Sequence, residues 1–358
     1  MTKTIIKRAR LFKGVSTAYY VSTDLLKIYE RLGAIARDAL NYAMSIVEPG
    51  IPVLELCEKV ENRIRQGGAK PAFPVNISIN DIAAHYTATI GDKSVIPKGA
   101  VVKIDLGAHI DGYIVDTAVT VTFNPMYSQL IKASMKALEA AQLSMKPGAT
   151  LASIGAQIER AIKSFGFKPI KNLSGHLIRK YVLHAGKSIP NYDNGDRQRI
   201  IEGEVYAVEP FSTNGAGYVD DGPQVTIYHL FKNPSPKDPH YDVLTYIINE
   251  IGPLPFTPPR WLVSKFGEEV GNVISELYVK DYVYGYPVLI EHGKGLVAQV
   301  EDTFIITKDG GYPYRGCTFT IKVRGRLLAK SPLPPCVIIK RLLKVLLSYL
   351  RPILIQDI

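Results

Sequence analysis

Asp105, Asp116, His176, Glu209 and Glu301 are the residues whose types and settings could do chemistry. Four are carboxylates, and each of the five interrupts an apolar or small-residue stretch: VVKIDLGAHI, DGYIVDTAVTVTF, NLSGHLI, EGEVYAVEPF and LVAQVEDTFII. A carboxylate in such a run is costly to bury unless it is paired or holds a metal. Four carboxylates and one imidazole brought together would make an oxygen-rich site for a pair of divalent ions, the equipment of metal-assisted hydrolysis. Taken singly, each has a plainer reading: a solvent-facing Asp, a surface His, a strand-edge salt bridge. Four acids on strands with a flanking His are harder to explain that way.

The elements that must position them read mostly as strands. Residues 99–123 form two β-branched runs around Asp111-Gly112, a turn dipeptide. A two-residue turn sets Ile110 opposite Tyr113 and Gly107 opposite Asp116. Asp105, two residues from Gly107, shares that face. The two aspartates are then diagonal neighbours, roughly 7–8 Å apart at Cα, within reach of two ions about 3.5–4 Å apart. The alternative is an amphipathic hairpin with two solvated acids. His176 reads as a loop residue after Ser174-Gly175, with His184 following in LHAGK. Glu209 ends a strand, and Glu301 lies within the strand LVAQVEDTFIITKDG. His85, in INDIAAHYTATIGD, is either a satisfied core histidine or a pocket imidazole that donates to a substrate carbonyl.

Helical spacing marks LLKIYERLGAIARDALNYAMSIV, capped by Ser22-Thr23-Asp24, and VLELCEKVENRIRQG, ended by Gly67-Gly68. Two more helices follow the hairpin, at YSQLIKASMKALEAAQLSM and LASIGAQIERAIKSFG. Residues 223–285 change texture. They are rich in proline, hold the single Trp (Trp261), and carry two helical patterns, YDVLTYIINEIG and SKFGEEVGNVISELYVK. This stretch reads as an inserted helical subdomain.

The chain has 358 residues, 46% hydrophobic and 21% charged, a normal soluble globular composition. Cys57, Cys317 and Cys336 form no zinc spacing and no disulfide framework, which points to a reducing compartment, the cytoplasm. The net charge is +10, but residues 312–358 hold nine Lys or Arg and one acid, leaving +2 for the rest. The body is nearly neutral, so the charge does not argue for nucleic acid binding.

The segments AFPVNISINDIAAHYT, KIDLGAHIDGYIVDTAVTVTF, LSGHLI, LHAGK, EGEVYAVEPF, PLPFTPPRW, YGYP and QVEDT occur in one order. In these the chain resembles methionine aminopeptidase type 2 of the archaeal style, within peptidase family M24, from about Ser22 to Gly311. The resemblance implies an α+β pita-bread fold: a pseudo-twofold antiparallel sheet covered by helices, with the type 2 helical insertion at 223–285. It implies removal of N-terminal methionine from nascent proteins and peptides, with a small second residue preferred, by two divalent ions (Co, Mn, Fe or Zn). By resemblance, Asp105 binds one ion, Asp116 and Glu301 bridge the two, and His176 and Glu209 bind the second. Glu209 also moves the proton, His85 and His184 contact substrate at the reacting bond, and Phe73, Tyr286 and Leu289 line the methionine pocket. The resemblance also implies a monomer.

Two rival readings remain open. One is a proline-specific peptidase on the same fold. The other is a non-catalytic ribosome- or RNA-associated protein, which the full set of five ligands argues against. The lead-in 1–21 and the basic tail 312–358 lie outside the resemblance. VIIKRLLKVLLSYL in the tail is either an amphipathic helix for an anionic membrane surface or the ribosome, or the product of a reading frame lost after about residue 311.

Overall fold

In the computed structural model, residues 23–313 are described, together with two strands at 318–323 and 326–332. The lead-in 1–21 and the helix candidate at 337–350 fall outside the described residues. The tail strands Thr318–Val323 and Arg326–Pro332 pair as a hairpin, which the sequence patterning did not reveal.

The first half opens with α1 (Thr23–Ile46) and α2 (Val53–Gln66). They cover a sheet of β1 (Lys70–Ile79), β3 (Val101–Ile110) and β4 (Tyr113–Thr122), in the order β1-β3-β4. Between β1 and β3 lies the short β2 (Ile82–Ala84). The hairpin has the register that parity requires: Ile110 opposes Tyr113, and Gly107 opposes Asp116. Asp111 and Gly112 both have positive φ, at 49° and 82°, as a type I′ turn demands.

The second half repeats the plan. The helices α3 (Ser128–Ser144) and α4 (Leu151–Ser164) pack over strands β5 (Lys168–Pro169), β6 (Ser174–Ile178), β7 (Ser188–Pro190), β8 (Val205–Val208) and β9 (Phe211–Thr213). Residues 296–310 are not one strand. Their ladder breaks at Val300-Glu301 into β12 (Val297–Gln299) and β13 (Asp302–Thr307). β12 pairs with β9, whereas β13 joins β14 (Gly310–Pro313), β8, β6 and β7 in a five-stranded sheet. At the break, Glu301 bridges instead to Ala118 on β4. The chain changes sheets at that residue, and no strand-period pattern can announce such a change.

Strands β10 (Val219–Leu230) and β11 (Val283–Glu291) pair at the base of the insertion, and β2 adds to β11. Between them stand α5 (Tyr241–Glu250), two single turns α6 (Pro258–Trp261) and α7 (Val263–Phe266), and α8 (Val270–Val279). The helix read across 264–280 is therefore two helices. Gly267, at φ 76°, ends the first in a conformation a helix cannot continue. The insertion has its own core of Leu244, Ile247, Phe256, Leu262, Ile274 and Leu277. The main core is continuous across both halves, from Leu32 on α1 to Phe304 on β13.

Candidate metal centre

Five strands or strand ends deliver the five residues to one place. Asp105 and Asp116 come from the hairpin. The free edge of β4 is fastened to residues 299–303 by threonines. Thr117 Oγ1 donates to the Glu301 carbonyl at 2.9 Å, and Thr120 Oγ1 to that of Gln299 at 2.6 Å. Thr303 Oγ1 donates to the Asp116 carbonyl at 2.8 Å and accepts from its N–H at 2.7 Å. The TAVTVT run of β4 thus does more than favour a strand: its hydroxyls extend the short backbone bridge between Ala118 and Glu301 along the seam and help set Glu301 against Asp116.

His176 lies on β6, paired with Ala207 of β8, and not in a loop as its Gly neighbour suggested. Gly175 is needed for a different reason. A Cβ there would collide with the Ala207 carbonyl oxygen, so only glycine lets β6 lie against β8 with His176 turned inward. Glu209 follows directly after β8.

Asp116, His176 and Glu301 each offer a ligand atom, all within 4.8 Å of one another, and all three residues are buried. His176 Nε2 stands 3.5 Å from Asp116 Oδ2 and 3.8 Å from Glu209 Oε1. Asp105 is joined to Glu301 through Gln299, whose Nε2 donates to Asp105 Oδ2 at 3.3 Å and Glu301 Oε2 at 2.9 Å. Burial, then the Asp116 charge, pushes the carboxyls of Asp105, Glu209 and Glu301 well above the ordinary range. Burial also raises Asp116, opposed by His176. Four acids this close resist losing all their protons together unless a cation joins them. Asp105 Oδ1, Asp116 Oδ1 and Glu301 Oε1 are buried without a hydrogen-bond partner. Carboxylates with unsatisfied oxygens, two of them clustered with the His176 imidazole, are the donor set of a divalent cation site, and the residues fit such an ion.

Above the acids opens a cavity of about 70 Å³. Its walls are Phe73, Ala84, Leu183, Ile227, Pro255 and Tyr286, with Asn76, His85 and His184 as polar points. Gly107 makes room for the Phe73 ring, which a Cβ would strike. Leu289 is not among the lining residues; it packs one layer back, with Ala84, Phe211 and Val297. His184 stacks against His176 with centroids 4.3 Å apart and keeps one side exposed. Enclosure by protein, then the rings of His176, His85 and His229, lowers its proton affinity, so the ring is neutral.

His85 is held at φ 65°, a strained value for a residue with a Cβ. Its Nδ1 lies 3.1 Å from the Pro287 carbonyl. A carbonyl only accepts, so Nδ1 carries the hydrogen; burial lowers the pKa and keeps the ring neutral. Nε2 is then an acceptor. With Nδ1 turned to the Pro287 carbonyl, the ring offers an acceptor to the cavity, which differs from the donor expected of it. Sequence reading also passed over Gln299 and Asn76. The sequence signal for Gln299 was its place in an apolar run two residues before Glu301; the structure buries it to 1% exposure. Asn76 is the one amide in the apolar run of β1.

The sequence profile of metallopeptidase family M24 matches residues 27–308. The methionine aminopeptidase of Saccharolobus solfataricus is 46% identical over 77% of this chain and 93% of its own length. That of Methanocaldococcus jannaschii is 42% identical over 79% and 96%, and that of Pyrococcus abyssi 44% over 80% and 97%. Among solved structures, a thermophilic Arx1 superimposes with a TM-score of 0.74 at 19% identity, covering 86% of this chain and 96% of that one. Methionine aminopeptidase from Thermotoga maritima gives 0.61 at 19%, covering 84% and 99%. Prolidase from Pyrococcus furiosus gives 0.55 at 20%, covering 83% and 65%. These structures share the pita-bread fold described above.

Proposed function

We infer how the site works from one premise: the chain belongs to metallopeptidase family M24. It is a metallo-aminopeptidase that removes the N-terminal methionine of peptide substrates and uses divalent metal. The observation that carries the finer reading is the convergence of Asp116, His176 and Glu301 within 4.8 Å, at the foot of an apolar cavity. In that reading the centre is dinuclear. Asp105 would hold one ion, His176 and Glu209 the other, and Asp116 and Glu301 both. Bound there, the ions supply Lewis acidity for attack of water on the first peptide bond.

The rest is the work of the chain's own side chains. Glu209, with its proton affinity raised by burial and by the neighbouring acids, takes a proton from the attacking water and returns it to the leaving amine. His184, neutral and beside His176, donates to the carbonyl oxygen as it gains charge. His85 accepts from an N–H of the second residue through Nε2. Phe73, Ile227 and Tyr286 enclose the methionine side chain, and a crowded exit past the histidines favours a small second residue. Catalysis belongs to residues 22–311.

The test uses Mn- or Co-loaded protein with Met-Ala, N-acetyl-Met-Ala and Ala-Pro substrates. Only the first should be cleaved, and the Glu209→Gln variant should lose about 10²–10⁴ in kcat. Cleavage of Ala-Pro over Met-Ala would replace this reading with the proline-specific one. Wild-type turnover by Glu209→Gln would remove Glu209 from its role.

A further inference from the structure

We propose that Gln299 is a positioning residue that presets the Asp105 end of the metal pair, and so makes the two ion positions unequal. The inference rests on the dinuclear reading above. Gln299 is 1% exposed and is the last residue of β12, two positions before Glu301. Its single amide nitrogen donates to Asp105 Oδ2 and to Glu301 Oε2. Those bonds take up one oxygen of each carboxylate. The other oxygens, Asp105 Oδ1 and Glu301 Oε1, are buried with no partner. One side chain therefore joins Asp105 of the hairpin to Glu301 at the strand break, orients both carboxylates, and leaves each an oxygen free of hydrogen bonds for a cation.

The amide suits this work because it is neutral. An ammonium in its place would repel the ion, and a carboxylate would add to the crowding of like charge. The backbone of Gln299 is held independently of its side chain: its N–H donates to Thr120 Oγ1 at 2.8 Å, and its carbonyl accepts from the same hydroxyl at 2.6 Å. The other end of the centre has no such clamp from Gln299. There His176 Nε2 and Glu209 Oε1 face each other directly at 3.8 Å. Loss of the amide should therefore loosen the Asp105 position, where both Asp105 and Glu301 lose their orienting bond, much more than the His176–Glu209 position, where only Glu301 does.

The experiment is calorimetric titration of chelator-treated full-length protein with Mn²⁺, followed by the visible spectrum of Co²⁺ added in single equivalents. Wild type should take up two ions in two steps. Gln299→Met, which keeps length and loses both donors, should weaken one step by about 10–100-fold, the range for losing a hydrogen bond that orients a ligand. The other step should stay within about threefold, and the Co²⁺ band should change at one equivalent only. Gln299→Leu repeats the test should the Met variant not fold. Thr120→Val, which disturbs the backbone seam and leaves the amide, should leave both steps near wild type. Two unchanged steps in Gln299→Met overturn the inference and leave the dinuclear reading standing. Equal weakening of both steps, or the same loss in Thr120→Val, also overturns it, by reducing Gln299 to general support. A wild type that takes up a single ion overturns the dinuclear reading and this inference together.

Discussion

Replacing Arg260 by Met should unfasten the helical insertion from the catalytic body. Arg260, on α6, donates through Nη2 to Glu61 Oε1 on α2 at 2.7 Å, with side chains only 2% and 3% exposed. The same nitrogen reaches Thr87 Oγ1 at 2.8 Å, and Trp261 Nε1 donates to Glu61 Oε2 at 2.8 Å. Removing one partner of a buried ion pair costs about 3–5 kcal/mol, because the survivor is left charged and dry. Here the cost should fall near about 3 kcal/mol, because Glu61 keeps the Trp261 donor, the Val75 N–H at 3.2 Å and Arg65 at 3.4 Å. In a domain of this size that is a fall of roughly 5 °C in Tm, read by calorimetry, with the free-energy loss read by urea unfolding. The same substitution should raise KM for Met-Ala more than it lowers kcat. Val75 sits in β1 between the cavity-lining Phe73 and Asn76, and Pro255 reaches the cavity from the insertion, so the ion pair aligns two walls of the cavity and none of the acids. Adding Glu61→Leu to Arg260→Met should recover much of the stability, because a buried pair exchanged for apolar side chains is often neutral. A loss below about 1 kcal/mol in the single variant, or a double variant no more stable than the single, would refute the reasoning.

The acids of the centre give a pH test with a definite sign. Asp105, Asp116, Glu209 and Glu301 all have folded pKa values raised above their unfolded ones. The folded chain then holds more protons, and stability falls as pH rises across that gap. Chelator-treated protein should therefore melt higher as pH is lowered from 7.5 toward 5.5, while metal-loaded protein melts lower, because protons compete with the ion; parallel melting curves for the two forms would count against a metal at these acids. At neutral pH, Mn²⁺ at about 100 times its Kd should stabilise the protein by about 2.7 kcal/mol per site, checked by thermal shift against a chelated control. Phe73→Ala should raise KM for Met-Ala by about 10–100-fold and weaken discrimination between Met and smaller first residues, measured with a panel of dipeptides. Gly175→Ala should cost about 1–3 kcal/mol from the collision with Ala207 and lower the bound-metal count, measured by unfolding and elemental analysis.

What was legible in the sequence divides along physical lines. The hairpin was readable because a side-chain period of two and a two-residue Asp-Gly turn leave one register, so the shared face of Asp105 and Asp116 followed from counting. The core helices were readable because each buries one apolar stripe and stops at Gly or Pro. Glu301 was read as lying within a strand, yet its work depends on the strand ending there. That break lies against threonines of β4, 184 and 179 residues earlier in the chain, whose hydroxyls bond carbonyls at 301 and 299. Each Thr looks like an ordinary strand former, and nothing local separates a hydroxyl that faces solvent from one that fastens two sheets.

The same limit applies to His85 and Gln299. Their types said that they could donate or accept, but not which. The choice for His85 is made by the Pro287 carbonyl, 202 positions away, and for Gln299 by two acids from different sheets. Long-range partners thus decide the direction of each hydrogen bond at the site, whereas local pattern decides which residues arrive there. A residue set read from sequence is for that reason more secure than the roles given to its members. The geometry of His85 shows the difference: the residue belongs to the cavity as its sequence setting suggested, but one backbone carbonyl makes its Nε2 an acceptor, and for that reason the proposed stabilisation of the reacting carbonyl is given to His184.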